Sequence, residues 1–184
     1  MKVLIDKKIC TLIHIYDFLN GGYFVAHHQL RVFDDVAYNL YLNKDREGLQ
    51  NLYENMKGGI PSWLLKFIEK SKGIRYFCCD GCHDAMVLGI EEQGDDLLVK
   101  FDTTGMLGCL DVGDTFTIKI KAKNKNNFEE LIYDFGIFER MYCLSADVSF
   151  EGGKAYFDLG LQVFKDKTHE DRVYTFEISD IEVE

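Results

Sequence analysis

The chain has 184 residues, enough for one domain with a sizeable buried core. With 47% hydrophobic and 28% charged residues, a single proline and no low-complexity stretch, its composition is that of a globular protein and excludes a disordered chain. The formal net charge of −10 argues against nucleic acid and anionic membranes as partners, because an acidic surface repels phosphate groups.

The first predicted elements are helical. Residues 10–19 are apolar enough for either a strand or a helix, and their pattern does not decide between the two. Residues 23–42 place apolar side chains three and four positions apart, which predicts an amphipathic helix with Asn20 as its N-cap.

Two shorter helices are predicted before the pattern changes at Gly73. Residues 45–56 form the first, with Asp45 as N-cap and apolar side chains on one face. The second begins at Pro61, a residue favoured in the first turn of a helix, and Gly73 is expected to end it.

Strand periodicity replaces helical periodicity after Gly73. Residues 85–104 predict a hairpin with Gly94 in its turn, and residues 114–124 predict a strand with one apolar face. Residues 138–164 predict a second hairpin that turns at Gly152-Gly153, and residues 173–184 a last strand. We therefore expect strands that follow one another as an antiparallel meander.

The order of these elements predicts the α+β class. We expect a single domain over residues 1–184, with a mainly helical lobe over 1–73 and an antiparallel β lobe over 74–184. The N-terminal helices should pack on a C-terminal antiparallel β-meander of about five or six strands, a common sheet size. The strand order and the oligomeric state are left open by the sequence.

The N-terminal residues predict the compartment. Charged residues interrupt the apolar patches near the start, so we expect no signal peptide, and no apolar run approaches the ~20 residues of a membrane span. The chain is therefore predicted to be cytoplasmic, and its six cysteines to be reduced thiols.

A cluster of cysteines, Cys78, Cys79 and Cys82, is followed by His83 and is the strongest motif in the chain. Its Cys-x-x-Cys-His spacing matches covalent haem attachment and its Cys-x-x-Cys spacing a redox pair, but neither the export signal nor the helical context that these need is present. Zinc is the remaining hypothesis: Cys79 and Cys82 form one pair of ligands, Cys78 or His83 could join them, and the sequence shows no obvious second pair. Further ligands could come from these residues: Cys10, His14, His27 and His28.

The alternative is a purely structural role, in which the cysteines are small, half-buried side chains at the edge of a strand. Our expectation is therefore that the chain has no cofactor, with zinc at the cysteine cluster as the alternative.

The pair His83-Asp84 belongs to a longer pattern. A short helix from Pro61 precedes it, and an acidic turn, several strands and the closing acidic strand 174–184 follow. This order resembles an uncharacterised bacterial family, a domain of unknown function whose members carry a His-Asp-small-x-hydrophobic entry to a similar sheet. It is also similar in outline to predicted immunity proteins of bacterial toxin systems.

The resemblance implies an α+β bacterial cytosolic protein without an assigned activity. Only His83 and Asp84 carry over from it, as a motif with a structural role. A catalytic use of the pair, as in metal-dependent phosphohydrolases, would need a site on helices with further His and Asp residues at helical spacing, whereas this pair is expected to lead into a strand.

No complete set of catalytic residues is visible, since the chain lacks a glycine-rich phosphate loop and a Gly-x-Ser-x-Gly motif. We therefore name no catalytic residue and favour a non-enzymatic protein-binding module. Its acidic face would bind a basic protein, as an immunity protein binds a toxin. The alternatives are a metal- or thiol-dependent protein centred on Cys78, Cys79, Cys82 and His83, and an enzyme whose site is assembled from dispersed residues.

Overall fold

The computed structural model describes residues 7–21, 34–70, 83–102 and 115–184. These ranges contain helices and strands with the following bounds: α1 (Lys7–Leu19), α2 (Asp35–Leu42), α3 (Arg46–Met56), α4 (Ser62–Glu69), β1 (Met86–Gln93), β2 (Asp96–Asp102), β3 (Thr115–Ala122), α5 (Asn126–Ile137), β4 (Arg140–Glu151), β5 (Lys154–Lys165) and β6 (Thr168–Val183). N-terminal helices followed by antiparallel strands confirm the α+β class.

The six strands close into an antiparallel barrel in the order β1-β2-β3-β6-β5-β4. Two three-stranded meanders, β1–β3 and β4–β6, are joined where β3 pairs with β6. The second seam is short: Met86 of β1 lies opposite Tyr142 of β4. Just before β1, Asp84 N–H donates to Cys143 C=O and Cys143 N–H donates to Ala85 C=O, both at 2.8 Å.

Large apolar side chains fill the inside of the barrel. In β3 the β-branched and aromatic residues Phe116, Ile118 and Ile120 point inward and are buried, as their spacing predicts. Phe116 stacks on Phe101 of β2 with ring centroids 4.9 Å apart. From β5 and β6 the main inward side chains are Phe157, Leu159, Leu161, Val163, Phe176 and Ile178.

Both predicted hairpin turns are confirmed. Gly94 has a positive φ of 65° between β1 and β2, and Gly152-Gly153 have φ values of 59° and 79° between β4 and β5. The turn from β5 to β6 has the same backbone geometry without glycine, because Asp166 and Lys167 have φ values of 49° and 69°. The register of β5 and β6 continues up to Lys165 and Thr168, so this loop has two residues.

Helix α1 lies at the centre of the helical lobe. Its residues 9–15 are all buried, because α3 and α4 contact it on one side and β4 on another. In a helix, an apolar segment enclosed in this way forms its backbone hydrogen bonds within itself. Residues 10–19, which the sequence left as either strand or helix, are therefore helical. Helix α4 contacts β6, so the N-terminal helices pack on the outside of the barrel as expected.

The predicted helix over 23–42 is partly wrong. Asp34 has extended backbone angles, and its Oδ1 accepts a hydrogen bond of 2.8 Å from Val36 N–H, so α2 begins at Asp35. Residues 22–33 lie outside the ranges that the structure describes. The predicted N-cap, Asn20, is instead found at the end of α1, where its amide donates to Tyr16 C=O.

The two following helices agree better with their predictions. Asp45 caps α3, since its carboxylate accepts a 2.8 Å hydrogen bond from Gly48 N–H. Pro61 directly precedes the first residue of α4, one position earlier than predicted. This helix ends at Glu69, while Gly73, its predicted end, lies outside the described ranges.

Helix α5 was not predicted from the periodicity of the sequence. It connects β3 to β4 and contacts β1 and β6, two strands that are not neighbours in the barrel. Phe128 and Leu131 are fully buried on its inner face, and the Phe128 ring lies 5.6 Å from that of Phe176 inside the barrel. No helix in the described ranges has the length and apolar character needed to cross a bilayer.

Candidate functional site

The pair His83-Asp84 forms the turn that leads into β1. Asp84 has a positive φ of 69°, and its N–H donates to Cys143 C=O across the closing seam of the barrel. His83 Nδ1 lies 3.0 Å from Asp84 Oδ1, and both side chains are exposed. The contact with the neighbouring strand is therefore made by the Asp84 backbone, while the two side chains face each other.

The cysteines Cys78, Cys79 and Cys82 lie outside the described ranges, so the predicted metal site stays a prediction. Of the further ligands considered, Cys10 and His14 are buried one turn apart on α1. Within the described part of the chain, no three His, Cys, Asp or Glu side chains come together in a way that could hold a metal ion.

Lys125 fixes the start of α5 to the turn between β1 and β2. Its Nζ lies 2.8 Å from Glu92 Oε1 and 3.5 Å from Asp95 Oδ1, and it also donates to Gly94 C=O. The pKa of Lys125 is raised, and the hydrogen bond to Glu92 is the largest cause. On the opposite side of the barrel, the Asn127 amide donates to the backbone of β6.

A buried carboxylate fixes the other half of α5. Asp134 is only 2% exposed, and its Oδ2 accepts hydrogen bonds from Arg172 Nη1 at 2.5 Å and from the Tyr174 hydroxyl. Burial, and next the hydrogen bond to Asp134, raise the pKa of Tyr174, so this phenol stays protonated. Arg172 also binds Glu170 at 2.6 Å and lies 5.0 Å from the centre of the Phe138 ring. A charged group this well paired holds the helix in one position.

The outer face of α5, which we define by Glu129, Glu130, Tyr133 and Gly136, points away from the barrel. All four residues are exposed, and Tyr133 is 66% exposed, the highest fraction among the large apolar side chains in the described ranges. Their spacing of three and four residues places them next to one another on the helix. This face combines two carboxylates, an aromatic ring and open backbone.

A second charged surface lies on the outside of β2, β3 and β6. Lys119 Nζ is 3.3 Å from Asp96 Oδ2, and Lys121 lies opposite Asp180 in the strand register. A pocket of about 130 Å³ opens between them and is lined by Asp96, Lys119, Lys121, Asp180, Ile181 and Glu182. Acidic and basic side chains alternate here, so much of the charge is neutralised locally.

The negative charge of the protein lies in residues 74–184, the part of the chain that includes the strands of the barrel. Residues 74–184 hold 23 Asp and Glu against 11 Lys and Arg, a formal net charge of −12, whereas residues 1–73 hold 8 against 10, a net charge of +2. Within the described ranges, the following barrel carboxylates form no ion pair: Glu91, Glu129, Glu130, Glu139, Glu151, Asp158, Asp166, Asp171, Asp180, Glu182 and Glu184.

His14 is the buried titratable group of the helical lobe. It lies on α1 and is 3% exposed. Burial lowers its pKa to about 4, so the imidazole is neutral at pH 7.

Sequence reasoning missed α5 and its anchors. A signal was present, because Phe128, Leu131, Ile132 and Phe135 recur at three- and four-residue steps. The carboxylate of Asp134, by contrast, has nothing in its neighbours along the chain to mark it as buried. Its partners Arg172 and Tyr174 follow 38 and 40 residues later.

Comparisons of the chain with protein-family models, with curated proteins and with solved structures each found no match. The resemblance to a bacterial domain of unknown function and to immunity proteins therefore stays a prediction.

Proposed function

We propose that the protein is a non-enzymatic binding module whose acidic barrel surface binds a basic protein, as an immunity protein binds its toxin. The separation of charge between the two parts of the chain is the observation that carries this proposal. A formal charge of −12 on residues 74–184, beside +2 on residues 1–73, makes one lobe the source of a strong negative field. Such a field attracts and orients a basic partner.

The arrangement of the carboxylates supports the same function. The barrel is closed and filled mainly with apolar side chains, and apart from Asp134 and Asp147 its carboxylates lie outside this core. Several of them, among them Glu91, Glu129 and Glu130, lie outside the ion pairs of the described residues, whereas Glu182 lies opposite Lys119 in the strand register. Carboxylates kept apart from local cations on a rigid scaffold are available to a partner, whose lysines and arginines would complete them.

This function is tested by using the immobilised full-length protein to capture binding partners. Each captured protein is then purified, and its complex with the full-length protein is reconstituted. The matched variants are a barrel variant with Glu129→Gln, Glu130→Gln, Asp180→Asn and Glu182→Gln, and a helical-lobe variant with Glu47→Gln and Glu54→Gln. We expect a basic protein that binds the wild type and the helical-lobe variant in equal amounts. It should be released as salt shortens the Debye length from about 30 Å to about 3 Å.

Two outcomes would contradict the proposal. One is a reconstituted complex that the barrel variant forms as tightly as the wild type, or that salt leaves unchanged. The other is that no purified basic protein binds the full-length chain even at low salt.

A further inference from the structure

We propose that the outer face of α5, centred on Tyr133, is the surface on which the basic partner docks, and that the group it receives is an arginine side chain. This inference rests on the function proposed above and adds to it the place and the chemistry of recognition. It commits to one helix face among several acidic surfaces of the barrel. A partner recognised in this way would bring an arginine with at least one further basic residue beside it.

Side-chain contacts hold α5 to the barrel at both of its ends. Lys125 ties its start to the β1–β2 turn, and Asp134 ties its second half to Arg172 and Tyr174 of β6. Between these anchors Phe128 packs against Phe176 in the barrel. A helix held on both sides of the barrel loses little freedom when a partner binds, which lowers the entropic cost of docking.

The side chain of Tyr133 presents an exposed aromatic ring on the outer face of α5. Tyr133 is 66% exposed and makes no hydrogen bond or ring contact with any residue that the structure describes. Glu129 and Glu130 lie one turn before it on the same face and form no ion pair within the described ranges. Tyrosine is among the residues that most often carry binding energy at protein interfaces.

Gly136 is a glycine that neither a positive φ nor a close neighbouring atom requires. It lies in the last turn of α5 without a positive φ, and a Cβ added there would meet nothing within 4 Å. Glycine is costly in a helix, by about 1 kcal/mol relative to alanine. Next to Tyr133, the missing side chain leaves backbone open to close approach by another molecule.

These features together fit a guanidinium group. Arginine stacks on the face of an aromatic ring and at the same time donates in a fork to carboxylates, whereas lysine offers a point charge. The competing surface beside β3 is less suited to it, because Lys119 and Lys121 already lie among Asp96, Asp180 and Glu182. The α5 face presents carboxylates and a ring without a lysine or arginine of its own.

The test compares two probes on the full-length protein. One is a peptide in which arginine alternates with alanine, and the other is its lysine counterpart of equal length and charge. We expect the arginine peptide to bind about three times more tightly, as cation–π stacking on an exposed ring would give. Amide chemical shifts should change mainly over residues 129–137 when the peptide is added.

Single-residue variants test whether the preference for the arginine peptide arises at the outer face of α5. Tyr133→Ala should remove the preference for arginine, whereas Tyr156→Ala, which changes a half-buried tyrosine on β5, should leave it intact. Gly136→Ala should raise thermal stability and yet weaken the arginine peptide severalfold, because its Cβ would occupy the open backbone.

The failures of the two proposals are distinguishable. Equal affinity for both peptides, or shifts that centre on Asp180 and Glu182, would overturn the assignment to α5 and leave an acidic binding surface elsewhere on the barrel. An arginine preference that survives Tyr133→Ala would also overturn it. If neither peptide binds at low salt, the proposed function itself fails.

Discussion

At the scale of single residues, the strongest constraint is the carboxylate of Asp134. It is buried between α5 and β6 and accepts hydrogen bonds from Arg172 and Tyr174. A buried charge is tolerated only with such partners, because desolvation otherwise favours its neutral form. The pairing therefore determines which face of α5 is turned inward, and with it which face carries Tyr133 outward.

Asp134→Ala should lower the free energy of unfolding by about 3 kcal/mol, because it leaves a tyrosine hydroxyl and part of a guanidinium without their acceptor. Asp158→Ala, on the outer face of β5, is the matched control and should cost less than about 1 kcal/mol. Urea denaturation of both variants measures the difference. Equal losses would mean that the Asp134 cluster does not hold the helix.

The turn between β5 and β6 carries backbone strain at Lys167. Its φ of 69° is costly for a residue with a Cβ, so Lys167→Gly should stabilise the protein by about 1 kcal/mol. Gly153, at the equivalent position of the β4–β5 turn with φ 79°, offers the reverse change. Gly153→Lys should therefore destabilise by a similar amount, and thermal denaturation that ranks the variants otherwise would contradict this prediction.

At the scale of elements, α1 shows why periodicity alone could not decide its structure. A run of buried residues from Ile9 to Ile15 lacks a polar face, and such a run is compatible with a buried strand or a buried helix. The neighbours α3, α4 and β4 determine the outcome by enclosing it. For α3 and β3, which are exposed on one side, the pattern was sufficient and the predictions are confirmed.

The buried His14 on α1 predicts a dependence of stability on pH. Its pKa of about 4 lies below the 6.5 of an exposed imidazole, so the unfolded chain binds the proton more readily. This contribution is complete above pH 6.5 and is lost as the pH falls from 6.5 towards 4, by about 2 kcal/mol at pH 5.

Denaturation of His14→Leu at about pH 7.5 and about pH 5 checks this, with exposed His169→Leu as the control. On acidification, the free energy of unfolding of His14→Leu should fall by about 2 kcal/mol less than that of the wild type. That of His169→Leu should fall by as much as that of the wild type. If both variants follow the wild type, His14 does not carry the dependence.

At the scale of the whole molecule, the negative charges of residues 74–184 repel one another. Residues 74–184 carry a net charge of −12, and the ion pairs of Lys119, Lys125 and Arg172 offset only part of it. Repulsion of this kind destabilises a compact state and is screened by salt. Charge that is kept at a cost in stability is consistent with a surface used for binding.

The melting temperature should therefore rise by a few degrees between about 0.02 M and about 0.5 M sodium chloride. The barrel variant with four neutralised carboxylates should start from a higher melting temperature and rise less. A melting temperature that falls as salt is added would mean that the ion pairs outweigh the repulsion.

The sequence by itself determined the properties that depend on near neighbours. Period-two alternation specified β3, glycines marked the turns at Gly94 and Gly152, and Asp45 marked the start of α3. Counting charges by range determines that residues 74–184 are the acidic part of the chain. These properties follow from backbone sterics, from side-chain alternation and from simple counting of charges.

Only the tertiary structure decided the closure of the barrel, the position of α5 and the partners of its charges. Closure depends on a short seam between Met86 and Tyr142, and the position of α5 on hydrogen bonds from Asp134 to residues 38 and 40 positions later. Contacts over such separations are set by how the whole chain packs and are not encoded in a local pattern. The outward position of Tyr133, on which the docking proposal depends, is a consequence of that packing.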